Sequence, residues 1–232
     1  VSEKKKLVCV AAQHQRFRLA SILLKRKIEK KKFGKVYFVD VNSLYKKSHT
    51  VNNINHIKRN SNTGLLLDLG SHFFDLVLWL LNNPKPYSVT ANASKIFSKN
   101  LLKQNKLNKN FKVHDFCNGL IKFENNLSIN FKFSYLSNLN VDRKEEFKIF
   151  AEKSNVVWPQ LHVTKFSSKK IRKIGKKEKI LASNLMFKDF FAKIKKGRKI
   201  KNNFNVQINT LKLINALNKS IIKKRTIYFE NK

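Results

Sequence analysis

The sequence predicts an α+β fold: an open, mostly antiparallel mixed β-sheet with helices on one face, entered through one strand of a different kind. Three observations carry this. Residues 7–12 form an unbroken apolar run, the pattern of a strand buried on both faces of a parallel sheet. Strand and helix patterns then alternate only as far as about residue 96, after which residues 116–166 read as strand after strand. Two helical patterns and a short strand close the chain.

In order, residues 7–12 are the isolated strand. A helix follows Arg16-Phe17, with Leu19, Ile22, Leu23 and Ile28 on one side, lysines in its last turn and Gly34 as its stop. Residues 36–41 are the next strand, and residues 42–63 read as a long polar loop of the kind that carries function. Residues 64–81 form a strongly apolar helix ended by Asn82-Asn83-Pro84, and residues 87–96 alternate as a strand. A basic linker is expected over residues 98–112. Phe116 to Phe123 and residues 127–135 flank Glu124-Asn125-Asn126, a hairpin whose Asn suits a positive φ. Ile129, Phe131, Phe133 and Tyr135 alternate with Asn130, Lys132 and Ser134, which gives the sheet one covered face and one wetter face. Residues 147–151, 156–158 and 161–166 continue it. Helices are expected at 184–196, stopped by Gly197, and 206–223, and a strand at 226–229.

With 232 residues, 42% of them hydrophobic and 19 Phe, the chain has material for a real core. No stretch approaches the roughly 20 apolar residues that span a bilayer, and no apolar signal segment follows the charged opening, so no membrane role and a cytoplasmic location are expected. Cys9 and Cys117 sit in apolar runs and are expected to be buried, reduced thiols. The net charge of +36 points by itself to a nucleic-acid partner. Against this, the lysines are spread over nearly every segment, with a parallel excess of Asn and Ile that an A/T-rich coding sequence would impose. No specific nucleic-acid site is expected, only a general attraction for anions.

The helix at 64–81 is apolar nearly all round, so its polar members are informative. Asp68, His72 and Asp75 lie at i, i+4 and i+7 and share one stripe. Two carboxylates and an imidazole among Leu and Phe are costly to bury unless the stripe faces a polar cleft or a ligand. Gly70 marks a close approach to the helix backbone. Asp68 hydrogen-bonded to one nitrogen of His72 would fix its tautomer and leave the other nitrogen to exchange a proton with a substrate hydroxyl. The same spacing equally suits a bland arrangement, in which Asp68 caps a helix starting at Leu69 and His72 is a satisfied core histidine.

The segment Thr63-Gly64-Leu65-Leu66-Leu67-Asp68-Leu69-Gly70-Ser71-His72-Phe73-Phe74-Asp75 resembles the G-x-x-x-D-x-G-x-H-x-x-D signature of the glucose-fructose oxidoreductase, inositol dehydrogenase and rhizopine-catabolism (Gfo/Idh/MocA) family. Further weak matches fall in the family's order. Val10-Ala11-Ala12-Gln13-His14-Gln15-Arg16-Phe17 is similar to its last Rossmann strand and Arg-Phe element, and Lys32-Phe33-Gly34-Lys35-Val36 to the entry of its next strand. Residues 83–89, 114–123 and 214–220 match as well. The resemblance implies residues 1–14 as the last strand of a truncated NAD(P)-binding Rossmann domain and residues 15–232 as the C-terminal substrate-binding and oligomerisation domain. It implies hydride transfer between NAD or NADP and a sugar or polyol. In that reading His72 is the proton relay, Asp68 its orienter, Asp75 a substrate ligand and Arg16 a residue near the bound ring, although Arg16 alone suits a surface cation nearly as well. It also implies a homo-oligomer built through the open sheet face.

The departures are equally definite. Neither the G-x-G-x-x-G phosphate turn nor the Glu-Lys-Pro segment with the family's catalytic Lys occurs in the chain, so it is expected to be a fragment that is inactive alone. Of the family's three glycines before the signature only Gly64 stands here. The later glycine turn is replaced by Lys153-Ser154-Asn155, where Asn155 is expected to take the left-handed conformation. Two rivals remain, a non-catalytic scaffold of the same descent and a basic nucleic-acid module.

Overall fold

The computed structural model describes residues 8–47, 64–104, 113–174, 180–195 and 204–230. Among these, nine strands form one sheet in the order β8-β7-β6-β5-β1-β4-β3-β2-β9. They are β1 (Val36–Tyr45), β2 (Pro86–Ser94), β3 (Phe116–Phe123), β4 (Ser128–Ser134), β5 (Arg143–Ala151), β6 (Asn155–Trp158), β7 (His162–Lys165), β8 (Ser168–Lys173) and β9 (Ile227–Tyr228). Every pairing is antiparallel except β1 with β4, which is parallel and central. The predicted open mixed sheet is therefore the observed one.

The helices are a 3-10 turn at His14–Phe17, α1 (Leu19–Glu29), α2 (Gly64–Leu80), α3 (Ile96–Lys103), α4 (Ala182–Lys195) and α5 (Asn205–Lys223). Alternation along each strand decides which face they cover. Val39 and Val41 of β1, Ile129, Phe131 and Phe133 of β4, and Phe147 and Ile149 of β5 are all buried, and they lie in register. Phe74 of α2 rests on this floor, its ring centroid 5.1 Å from Phe131 and 5.3 Å from Phe133. Gly70 is the close approach expected of it. A Cβ there would stand 3.0 Å from the Phe74 ring and 3.5 Å from Phe133, so the group packed against the helix is an aromatic pair of the core. The helix ends where Asn82 and Asn83 both take positive φ, a double left-handed stop before Pro84. Lys25 of α1 donates to the Trp79 carbonyl at 2.8 Å, satisfying an acceptor left open at that end.

The opposite face carries a polar group beside the aromatic pair Phe38–Phe150. On it Asp40 of β1 accepts from Asn42 Nδ2 and from Asn130 Nδ2, each at 2.9 Å, and Lys132 Nζ lies 3.9 Å away.

Several expectations fail. Residues 8–12 are in no ladder with any described segment, and a strand exists only as one side of a ladder. Cys9 is exposed, whereas Cys117 is buried as expected and its thiol is pushed up to about 12 by burial. The polar loop begins later than expected, since residues 42–45 extend β1; residues 48–63 lie outside those described. The first part of the basic linker is helix α3, with the Ser98 backbone N–H donating to buried Asp115 at 2.6 Å. Asp115 supplies the acceptor that an N-cap residue would otherwise bring. The rest of the linker, residues 105–112, is outside the described part, as is Gly197. None of Lys153, Ser154 and Asn155 has positive φ, so that turn closes without a left-handed residue. Strand β8 was not expected at all.

Candidate active site

The site is assembled where the 3-10 turn crosses α2 above the ends of β1, β4 and β5. The predicted stripe exists: Asp68 and His72 are half-buried and Asp75 is 1% exposed. Asp68 and Asp75 each pair with a residue of another segment.

Asp75 is clamped by Arg16. Nε donates to Oδ2 and Nη2 to Oδ1, both at 2.7 Å, the two-pronged geometry that a guanidinium offers a carboxylate. Burial pushes the Asp75 carboxyl above the usual carboxylate range, and the Arg16 pair pulls the other way. Arg16 also lies over the Trp79 ring at 5.8 Å. The sequence marked both residues as separate substrate contacts, and the fold joins them to each other.

Asp68 lies inside α2, so it is not the cap of a helix starting at Leu69. Asp68 Oδ2 accepts from Tyr135 Oη at 2.9 Å, and burial, with the nearby carboxylate adding to it, raises the Tyr135 phenol well above its ordinary value. Tyr45 is raised likewise by burial and by its short hydrogen bond to Glu145.

His72 has a different neighbour. The ring of His14 stands edge-on to it, centroids 5.5 Å apart with the planes at 64°. His14 is held below the usual histidine range, first by burial, then by His72 and Arg18, with Glu145 opposing. His72 Nδ1 is buried and has no hydrogen-bond partner among the described residues. A satisfied core histidine would have both ring nitrogens paired, and no described residue pairs with this one. Next to it Gln13 Nε2 donates to the Ser71 carbonyl at 3.3 Å, while Gln13 Oε1 is buried without a partner.

The 3-10 turn is a wall between two clefts. One, of about 390 Å³, is lined by Gln13, Arg16, Trp79, Met186, Lys193 and Gln207 among others. The second, of about 450 Å³, is lined by His14, Gln15, Arg18, Arg143 and residues 180–183. The arrangement can accept a hydrogen bond or a proton at buried nitrogen and oxygen atoms beside a guanidinium-carboxylate pair. The sequence reading missed His14, Tyr135 and Glu145. Of these only His14 carried a local signal, its place two residues before Arg16.

The described residues hold no group of three or more His, Cys, Asp or Glu side chains suited to a metal ion, and no described helix is long and apolar enough to cross a membrane.

A family model described as GFO/IDH/MocA C-terminal domain matches residues 22–157, more than half of the chain. Among solved structures, an oxidoreductase from Agrobacterium radiobacter in complex with NAD+, L-tartaric acid and magnesium is 14% identical with a TM-score of 0.74, over 97% of this chain and 66% of that one. Aldose-aldose oxidoreductase from Caulobacter crescentus, complexed with glycerol, is 16% identical with a TM-score of 0.75, over 98% and 65%. Myo-inositol 2-dehydrogenase from Lactobacillus plantarum is 13% identical with a TM-score of 0.71, over 94% and 63%. At such identities the likeness establishes the fold. The chain spans just under two thirds of the length of these structures. No curated protein sequence matches it.

Proposed function

The chain belongs to the GFO/IDH/MocA family of oxidoreductases, and on that premise we propose that it is the substrate-binding, proton-handling part of an NAD(P)-dependent dehydrogenase acting on a sugar or polyol. The observation that supports this most directly is the buried, unpartnered Nδ1 of His72. A buried polar atom without a partner costs about 1–3 kcal/mol, a cost that a bound hydroxyl would remove. His72 then takes the proton of the hydroxyl being oxidised, or returns it in reduction. Asp68, held by Tyr135, and Asp75, held by Arg16, are the carboxylates nearest along the helix and stabilise positive charge on the ring. Asp75 and Arg16 contact substrate as one unit.

The described residues do not fit a dinucleotide's diphosphate. That group needs a glycine-rich turn between a strand and a helix N-terminus. The described glycine with positive φ, Gly34, instead follows α1 and precedes β1, and a Cβ there would meet Glu152 at 2.8 Å. The nicotinamide is therefore held by residues other than those described, and residues 1–14 are the part of the chain that joins such a domain to residues 15–232. The sheet face around Asp40, Asn42, Asn130 and Lys132 is the surface through which copies associate.

The test is to join the chain to a dinucleotide-binding domain of the family. Nicotinamide absorbance is followed with a panel of sugars, polyols and unrelated alcohols, using NAD and NADP in turn. Turnover confined to sugars or polyols is expected from the joined protein and none from the chain alone. Turnover of unrelated alcohols only, or no nicotinamide binding at all, would contradict the proposal.

A further inference from the structure

We propose that the cleft of about 450 Å³ beside His14 receives an anionic group, a carboxylate or a phosphate, carried by the sugar or polyol whose reacting hydroxyl lies at His72, and that Arg18 and Arg143 hold it. This rests on the proposed role of His72 and narrows the substrate class to acidic or phosphorylated sugars and polyols.

Two guanidiniums, Arg18 and Arg143, line this cleft with His14 and Gln15, and none of the described residues around it is acidic. A wall with two positive charges and no carboxylate suits a group that brings negative charge of its own. Each guanidinium offers N–H donors in a fork that matches two oxygens of a carboxylate or phosphate. Across the cleft lie Ala182 and Ser183, the first residues of the 14-residue helix α4. The Leu181 carbonyl accepts from the N–H groups of Asn184 and Leu185, so those of Ala182 and Ser183 have no acceptor inside the helix and add to the same field.

Arginine is scarce in this chain, at eight of fifty basic positions, so a residue that only needed to carry charge would be lysine. Three of the eight nevertheless stand at this site, Arg16 in its clamp on Asp75 and Arg18 and Arg143 at the cleft. Arg18 is held in position by the Trp158 ring, its guanidinium 5.0 Å from the ring centre, and Trp158 is in turn stacked on Phe147. Arg143 has a side chain 67% exposed and reaches Glu145 only at 3.9 Å, while the other oxygen of Glu145 accepts from Tyr45. It can turn to a ligand without breaking a close pair. His14 joins the cleft to the reacting end, because it lines the cleft and its ring lies 5.5 Å from that of His72. An anionic group at Arg18 and Arg143 therefore stands a short carbon chain away from a hydroxyl at His72.

Binding is measured by calorimetry on the chain itself and on the chain joined to a dinucleotide-binding domain of the family. Physiological salt is used because it screens the general pull of a +36 chain on anions. The probes are gluconate, glucose 6-phosphate and neutral glucose. At least one of the two anions should bind about tenfold or more tighter than glucose, the worth of one charge-assisted contact, and comparing the two tells carboxylate from phosphate. Arg18→Gln with Arg143→Gln should remove that preference, and Arg143→Gln alone, at an exposed side chain, should remove part of it. Lys165→Gln with Arg172→Gln takes the same charge from exposed positions on β7 and β8 and should leave the preference intact. Equal binding of glucose and the anions, binding of neither anion by either protein, or an equal loss in the β7 and β8 variant overturns the inference. Turnover by the joined protein separates it from the proposed function. If an anion binds as expected and no sugar or polyol is turned over, the proposed function fails and the cleft stands. If neutral sugars are turned over and neither anion binds, the proposed function stands and the inference fails.

Discussion

Arg16 and Asp75 show how a residue's role changes once its partner is known. Breaking the pair by Arg16→Ala leaves a buried carboxylate without its counter-charge, an event that costs about 3–5 kcal/mol. The thermal midpoint should drop by many degrees, and the double variant Arg16→Leu/Asp75→Leu should recover most of the loss; equal midpoints for the single and double variants would show that the pair is not buried as described. A second expectation concerns pH. His14 is lowered from 6.5 in the folded state, so the unfolded chain binds its proton first as pH falls. Its contribution to stability is therefore present above about 6.5 and is lost as pH drops from there through the lowered value. Replacing it by Gln should flatten the stability curve in that window, which denaturant titrations at several pH values will read. The stripe Asp68, His72 and Asp75 was legible because helical periodicity is local. The partners were not. Gln13 and Ser71 are 58 positions apart, Tyr135 and Asp68 are 67, and nothing in a single sequence marks which distant side chains a fold brings together.

At the scale of elements, the long periodic segments were readable and the short ones were decided by their neighbours. Helix α2 and strands β3 and β4 carry enough apolar repeats to declare themselves. Strand β8, Ser168–Lys173, is an edge strand whose four Lys and Arg hide any alternation, and it exists because β7 offers a ladder. Residues 8–12 are the converse, a strand-like composition with no ladder beside it. Gly119 gives a sharp test of the central register. An added Cβ would fall 2.4 Å from the Thr90 carbonyl oxygen and 2.8 Å from the Phe131 ring, and the first of these is backbone that must move. Gly119→Ala should destabilise by about 1–3 kcal/mol, the usual cost of overpacking. A neutral result by denaturant titration would mean that β2 and β3 do not pair as Ala91 with Gly119.

For the whole molecule, the surface poses two questions, charge and exposed apolar side chains. The +36 charge predicts weak binding to duplex DNA that falls steeply with salt and ignores sequence; a tight, sequence-selective complex at physiological salt would revive the nucleic-acid rival. Helix α4 presents Phe187, Phe191 and Ile194 at i, i+4 and i+7, all exposed, so Phe187→Ser with Phe191→Ser should leave the thermal midpoint nearly unchanged. The sequence made the fold class and the family resemblance legible, and residues 22–157 confirm the family. It gave no sign of the His14–His72 contact. The central claim is that His72 handles the substrate proton. It is tested most directly by measuring kcat and the thermal midpoint of His72→Ala in the chain joined to a dinucleotide-binding domain of the family. The expected result is a kcat lower by about 100- to 10,000-fold, the usual worth of a positioned general acid/base, with the midpoint barely changed. Turnover per folded molecule near that of the parent, with a lowered midpoint, would contradict it.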